Sequence, residues 1–110
     1  MLGKAYNAQV NPLLIRANLN PMITQLTSST FSSFITKNKV TVVDFYADWC
    51  GPCKVVGPIL EGLSNELTQI SFGKVNADDE GELAGQFNIS SIPTVLIFKN
   101  GAPVNQLVWI

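Results

Sequence analysis

The sequence predicts an α/β domain, a mixed β-sheet with helices packed on its faces. Three observations lead there. Apolar runs of strand type alternate with patterns of helical period from residue 22 onward. The run Val40 to Ala47 is almost continuously apolar and β-branched, as a strand covered on both faces must be. The last two strand-type runs are joined by Asn100-Gly101, a pair suited to a tight hairpin turn.

Taken in order, Met22 to Leu26 reads as a short edge strand. Ser28 or Ser29 then caps a short helix whose Phe31, Phe34 and Ile35 share one face at i, i+3, i+4 spacing. Lys37-Asn38-Lys39 turns the chain into the central strand. After it comes a helix reaching about Leu67, with an apolar stripe of Val56, Ile59, Leu60, Leu63 and Leu67. Pro58 lies inside this helix, removes one ladder hydrogen bond and predicts a kink. Ile70 to Ala77 is the next strand. Asp78-Asp79-Glu80 then opens a short helix at the end that favours negative charge, with Leu83, Ala84 and Phe87 inward. Thr94 to Phe98 and Val104 to Val108 form the closing hairpin. The order is β-α-β-α-β-α-β-β.

A chain of 110 residues with 46% hydrophobic content makes one domain with an ample core. Net charge of −1 gives no electrostatic reason to expect nucleic acid. No apolar run approaches the length of a membrane span. The average hides an asymmetry. No acid precedes Asp44, whereas Lys4, Arg16, Lys37 and Lys39 do; after Tyr46, seven acids face Lys54, Lys74 and Lys99. Residues 1–20 therefore read as a basic N-terminal extension, either a transit peptide of mitochondrial type or a docking arm, ahead of a domain over 21–110.

Both cysteines fall in Trp49-Cys50-Gly51-Pro52-Cys53, between the central strand and the long helix. In a helix the Cα atoms of residues i and i+3 lie roughly 5 Å apart, within disulfide range. A ring between Cys50 and Cys53 can open or close with little backbone movement. If Cys50 caps the helix, unpaired N–H groups and the positive dipole end face its sulfur and favour thiolate over thiol. Pro52 suits a first turn, where its missing N–H has no partner anyway. Gly51 leaves the approach to sulfur open. Zinc wants four ligands, and the chain has two cysteines and no histidine. A metal or iron–sulfur site shared with a second chain stays open as an alternative. A purely structural disulfide across two residues closes too small a loop to stabilise much. Redox chemistry is the reading that uses the motif best. Asp44, alone among Val42, Val43 and Phe45, is a candidate buried carboxylate whose pKa burial raises towards neutrality. A strand-end carboxylate reaching water is its other reading.

With these residues in place the chain resembles the thioredoxin family. The resemblance rests on VVDFYADWCGPCK, KVNAD and SIPTVLIFKNG, in family order and spacing over about residues 22 to 108. It implies a thioredoxin-like fold and a protein disulfide reductase, an electron carrier with no bound cofactor and no metal. That family is itself the usual example of a cysteine acidified at a helix start. Cys50 matches the attacking cysteine, Cys53 the resolving one, and Asp44 the carboxylate behind it. Lys74 falls at the family position near that carboxylate, with a solvated strand lysine as its other reading. Pro93 matches the family's cis-proline, and Ile92 would offer its backbone to an extended substrate strand. Trp49, Gly51, Pro52, Ile92 and Pro93 form the implied substrate-binding set, with Gly57 near their rim. Trp49 as a core residue is the alternative. The implied partners are disulfide-containing protein substrates and a flavoprotein thioredoxin reductase, with no nucleic acid and no membrane span. The basic, acid-free residues 1–20 point to the mitochondrion as the location, with the cytoplasm as alternative.

Two departures stand out. Trp109 occupies the place of a family glycine, where its ring would stand near the substrate groove. The helix that ends the family fold is not expected here, which leaves apolar side chains worth roughly 1.5–3 kcal/mol each when buried. The N-terminal arm (Leu13, Leu14, Ile15), a second copy of the chain or a larger partner is expected to cover that face. A marginally stable truncated product is the other reading. From this comes the alternative function, a thioredoxin-like interaction or accessory subunit of a larger assembly with little reductase activity.

Overall fold

The computed structural model describes residues 22–109. Eight elements follow in the expected order: β1 (Ile23–Gln25), α1 (Phe31–Lys37), β2 (Val40–Tyr46), α2 (Cys53–Glu66), β3 (Ser71–Asn76), α3 (Gly81–Gln86), β4 (Thr94–Lys99) and β5 (Ala102–Val108). The strands make one sheet in the order β1-β3-β2-β4-β5. β3 runs parallel to both β1 and β2, while β4 runs antiparallel to β2 and β5, so the sheet is mixed. β2 takes the centre, which explains its unbroken apolar character: Val43 and Phe45 are fully buried on one face while Asp44 is buried on the other.

Period-2 alternation divides the core into two layers. On one face, Val43, Phe45, Val75, Leu96 and Phe98 pack beneath α1 and α3. Phe31 and Phe87 close this layer against Phe45 and Phe98, with ring centroids 5.3–6.3 Å apart. Tilted and edge-on pairs at this spacing each add about 0.5–1.5 kcal/mol beyond burial. Gly73 belongs here for want of room. A Cβ at that position would stand 2.6 Å from Leu26 Cδ1, and Leu26 is fully buried. On the other face, Leu60 of α2 packs on Phe72 and Val95, with Ile23, Val42 and Val56 beside them. That smaller layer lies under the helix that starts at the cysteines.

Several details differ from the sequence reading. Neither Ser28 nor Ser29 caps α1; the cap position is Thr30. Ser28 instead donates both its backbone N–H (2.9 Å) and its hydroxyl (2.7 Å) to Glu80 Oε1, tying the entry of α1 to the entry of α3. A distant carboxylate has outcompeted the local helix start for that hydroxyl. The stripe on α2 is only partly covered: Leu60 is buried, whereas Ile59 and Leu63 are exposed and Ser64 takes a buried position. α2 continues through Pro58 from Cys53 to Glu66, tolerating one missing N–H. The hairpin turn is as expected, with Asn100 (φ 52°) and Gly101 (φ 85°) both left-handed, as a two-residue primed turn requires. β5 is exposed along its length. Pro103 sits at its bulge, on an edge where a missing N–H costs no ladder bond. Among the described residues no helix is long and apolar enough to cross a membrane. The N-terminal extension and its Leu13, Leu14 and Ile15 lie outside the described residues.

Candidate active site

The end of β2 delivers the chemistry. Ala47 closes the central strand, and Cys50 N–H donates to Ala47 O at 3.2 Å, turning the chain towards α2. Cys50 and Cys53 are joined by a disulfide with their Cα atoms 5.3 Å apart. Both are buried. The cap of α2 is Pro52, so Cys50 stands in the turn ahead of the helix and not at the cap itself. Proline at the cap is tolerated because the first-turn bonds run from Lys54 N–H to Gly51 O and from Val55 N–H to Pro52 O, and none needs a proline donor. The helix end still reaches the sulfur, since Cys53 N–H points at Cys50 Sγ from 3.2 Å. Gly51 and Pro52 are both exposed over the disulfide. A Cβ on Gly51 would meet nothing within 4 Å.

Behind the disulfide lies a cleft of 340 Å³ lined by Asp44, Tyr46, Cys53, Lys54, Glu61 and Lys74, among others. Asp44 is 4% exposed, and its Oδ1 is buried without a hydrogen-bond partner. Burial raises its carboxyl from 3.8 to about 6, and the positive charge of Lys74 pulls the other way. Lys74 is brought there by sheet register, because it is the direct partner of Asp44 across the parallel β2–β3 pair. The sequence reading paired these two residues, and the register sets them side by side. Gly57 lines this same cleft and not the apolar rim expected of it.

On the other side of the cysteines runs an open groove of 550 Å³ lined by Trp49, Asp78, Gly81, Ile89, Ser91 and Ile92, among others. Trp49 is 69% exposed, which rules out the core reading. Its indole N–H donates to Asp78 Oδ2 at 2.7 Å, so the ring is held while its face stays open. The sequence reading missed Asp78 in this role. The signal was Asn76, whose Oδ1 accepts from the backbone N–H of Asp78 and Asp79 and shapes the turn that aims the carboxylate. Pro93 is buried and follows a cis peptide bond from Ile92.

Trp109 stands beside Pro93, a member of the implied substrate-binding set. Its N–H donates to Pro93 O at 3.2 Å, and it lines a separate apolar groove of 300 Å³ with Val56, Ile59, Leu63, Val95 and Leu107. That groove is the open α2 face of the sheet, and Pro93 lines it as well. Among the described residues no cluster of three or more His, Cys, Asp or Glu side chains is placed to hold a metal.

The chain is similar to known proteins over the part that carries this site. The family model described as Thioredoxin matches residues 22–108. Thioredoxin-1 of Saccharomyces cerevisiae is 46% identical over 88 residues, 79% of this chain and 85% of that one. The solved structure of Plasmodium falciparum thioredoxin superposes with a TM-score of 0.75 at 40% identity, covering 77% of this chain and 84% of the other. The oxidised mitochondrial thioredoxin 3 of Saccharomyces cerevisiae gives 0.75 at 31% identity, over 84% and 86% of the two chains.

Proposed function

This chain belongs to the thioredoxin family and is a thiol–disulfide oxidoreductase working through Cys50 and Cys53, and from that premise we propose how its residues divide the work. Cys50, reduced to the thiolate, attacks one sulfur of a substrate disulfide. That S–S bond breaks, a mixed disulfide forms on Cys50, and the first substrate thiolate leaves and takes a proton. Cys53 then gives its proton to Asp44 and attacks Cys50 Sγ. The second substrate thiolate departs, and the Cys50–Cys53 disulfide is left. Two electrons have passed to the substrate. The family implies disulfide-bearing protein substrates and a reductase that returns the electrons.

The observation that carries this reading is that a buried carboxylate, its Oδ1 without a hydrogen-bond partner, shares one cleft with the resolving cysteine. A group with a pKa of about 6 is a base for roughly nine molecules in ten at neutral pH, yet more basic than an exposed aspartate. Trp49, Gly51, Pro52, Ile92 and Pro93 are proposed to receive an extended substrate segment beside the disulfide, with Lys74 tuning Asp44. Reduction of insulin disulfides by the purified protein, fed by a dithiol donor, tests the proposal. Turnover of many insulin equivalents per chain is expected. A protein that folds but gives no rate above the donor alone belongs instead to the accessory-subunit class.

Two finer proposals concern the rest of the chain. The acid-free, basic residues 1–20, with the likeness to a mitochondrial thioredoxin, support import into mitochondria with this extension as leader. Sequencing the N-terminus of protein purified from its source is expected to find these residues removed. Met1 intact would leave the docking-arm and cytoplasmic readings. The apolar face of Ile59, Leu63, Leu107 and Trp109, all exposed, supports a covering partner or second copy. Size-exclusion chromatography of the whole chain is expected to show a larger species; a monomer that keeps this face wet would contradict it.

A further inference from the structure

We propose that Tyr46 is a positioning residue for the exchange reaction: with Gln25 fixing its ring, it holds the Lys74 ammonium at the mouth of the cleft and keeps it from pairing with Asp44. The inference rests on the reading of Asp44 as proton acceptor and adds to it Tyr46 and Gln25, to which no role has been assigned.

The geometry is set by the sheet. β2 and β3 are parallel and in register, so Asp44 lies beside Lys74 and Tyr46 lies two residues further along β2. Alternation puts Asp44, Tyr46 and Lys74 on one face, and all three line the same cleft. Lys74 Nζ lies 5.6 Å from the centroid of the Tyr46 ring, inside the range in which an aromatic face attracts a cation. The ring is held in turn. Tyr46 hydroxyl donates to Gln25 Oε1 at 3.1 Å, and Gln25 Nε2 donates to Lys74 O at 3.4 Å. Three adjacent strands thus close a loop of contacts around one ammonium group.

The ammonium does not reach Asp44 Oδ1, which is buried with no hydrogen-bond partner. The charged groups that line the cleft with Asp44 are Lys74 from β3, Lys54 and Glu61 from α2 and Asp48 from the loop after β2. Val95, its partner on β4, is apolar, and Cys53 does not titrate while oxidised. Of these groups Lys74 is the one whose charge opposes burial at Asp44. A full ion pair would hold the carboxylate ionised and make it a poor base. An ammonium lost to water would leave burial unopposed. The Tyr46 face fixes a position between these extremes.

The test follows the Asp44 carboxyl carbon by NMR through a pH titration of the oxidised protein. Tyr46→Leu removes the aromatic face and is expected to lower the titration midpoint by roughly half a pH unit as Lys74 closes on Asp44. Tyr46→Phe keeps the face and is expected to move it by less than half as much. Gln25→Ala, a milder change at the sheet edge, is expected to shift it in the same direction as Tyr46→Leu. Lys74→Met is expected to raise the midpoint, and Tyr46→Leu added to Lys74→Met to change nothing more. A midpoint that stays or rises in Tyr46→Leu, or an equal fall when Lys74 is already gone, would overturn the assignment. This readout needs no turnover, so it stands apart from the role of Asp44 itself, which exchange kinetics of Asp44→Asn test.

Discussion

Asp44→Asn is expected to stabilise the oxidised protein at pH 8 by up to about 3 kcal/mol, and to slow release of reduced substrate by roughly a hundred-fold. Both follow from the same burial. The carboxyl rises from 3.8 to about 6 on folding, mainly because water is withdrawn from it. Between these values the folded chain holds a proton that the unfolded chain has lost. Stability from this group is therefore complete below about pH 4 and is lost as pH rises through about 6. Urea unfolding at pH 4, 6 and 8 is expected to show this loss in the natural sequence and its removal in Asp44→Asn. Asparagine cannot accept the Cys53 proton, so the gain in stability comes with a slower resolving step. In the natural sequence that step is expected to slow as pH falls through about 6. Equal stability of the two proteins at every pH would mean that Asp44 reaches water.

The second large effect is qualitative. Cys53→Ser is expected to trap substrates as stable mixed disulfides on Cys50, because attack still occurs and nothing on the protein completes the exchange. Cys50→Ser is expected to trap nothing and to lose reductase activity altogether. Non-reducing gels of each variant incubated with oxidised insulin distinguish the two. Trapping by Cys50→Ser in place of Cys53→Ser would reverse the assigned roles. Burial is equal enough at the two sulfurs that exposure alone does not choose between them. The asymmetry lies in the bond from Cys53 N–H to Cys50 Sγ and in Asp44 sharing its cleft with Cys53.

Much of this was legible in the chain because local pattern and tertiary need agree there. The unbroken apolar run of β2 marked the sheet centre, and one acid inside it marked the buried carboxylate. Asn100-Gly101 announced a turn that only left-handed residues make. What stayed hidden depends on contacts between distant segments. Ser28 has the look of a helix cap, but Glu80, 52 residues away, takes its donors. The stripe on α2 reads as buried by period alone; how much of it is covered depends on what packs beside Leu63 and Trp109. Cys50 has the look of a cap residue, and Pro52 takes that place because the turn after Ala47 uses two more residues. Asp78 and Tyr46 lie inside the family-like runs KVNAD and VVDFYADWCGPCK, yet nothing in those runs says what either side chain touches. They matter through an indole and an ammonium that the fold brings to them.

The central claim is that the start of α2 makes Cys50 the reactive sulfur, and alkylation of the reduced protein across a range of pH tests it most directly. Iodoacetamide is expected to modify Cys50 first, faster at pH 7 than it modifies free cysteine, with Cys53 lagging well behind. Equal labelling of the two positions, at the slow rate of an ordinary thiol, would contradict it.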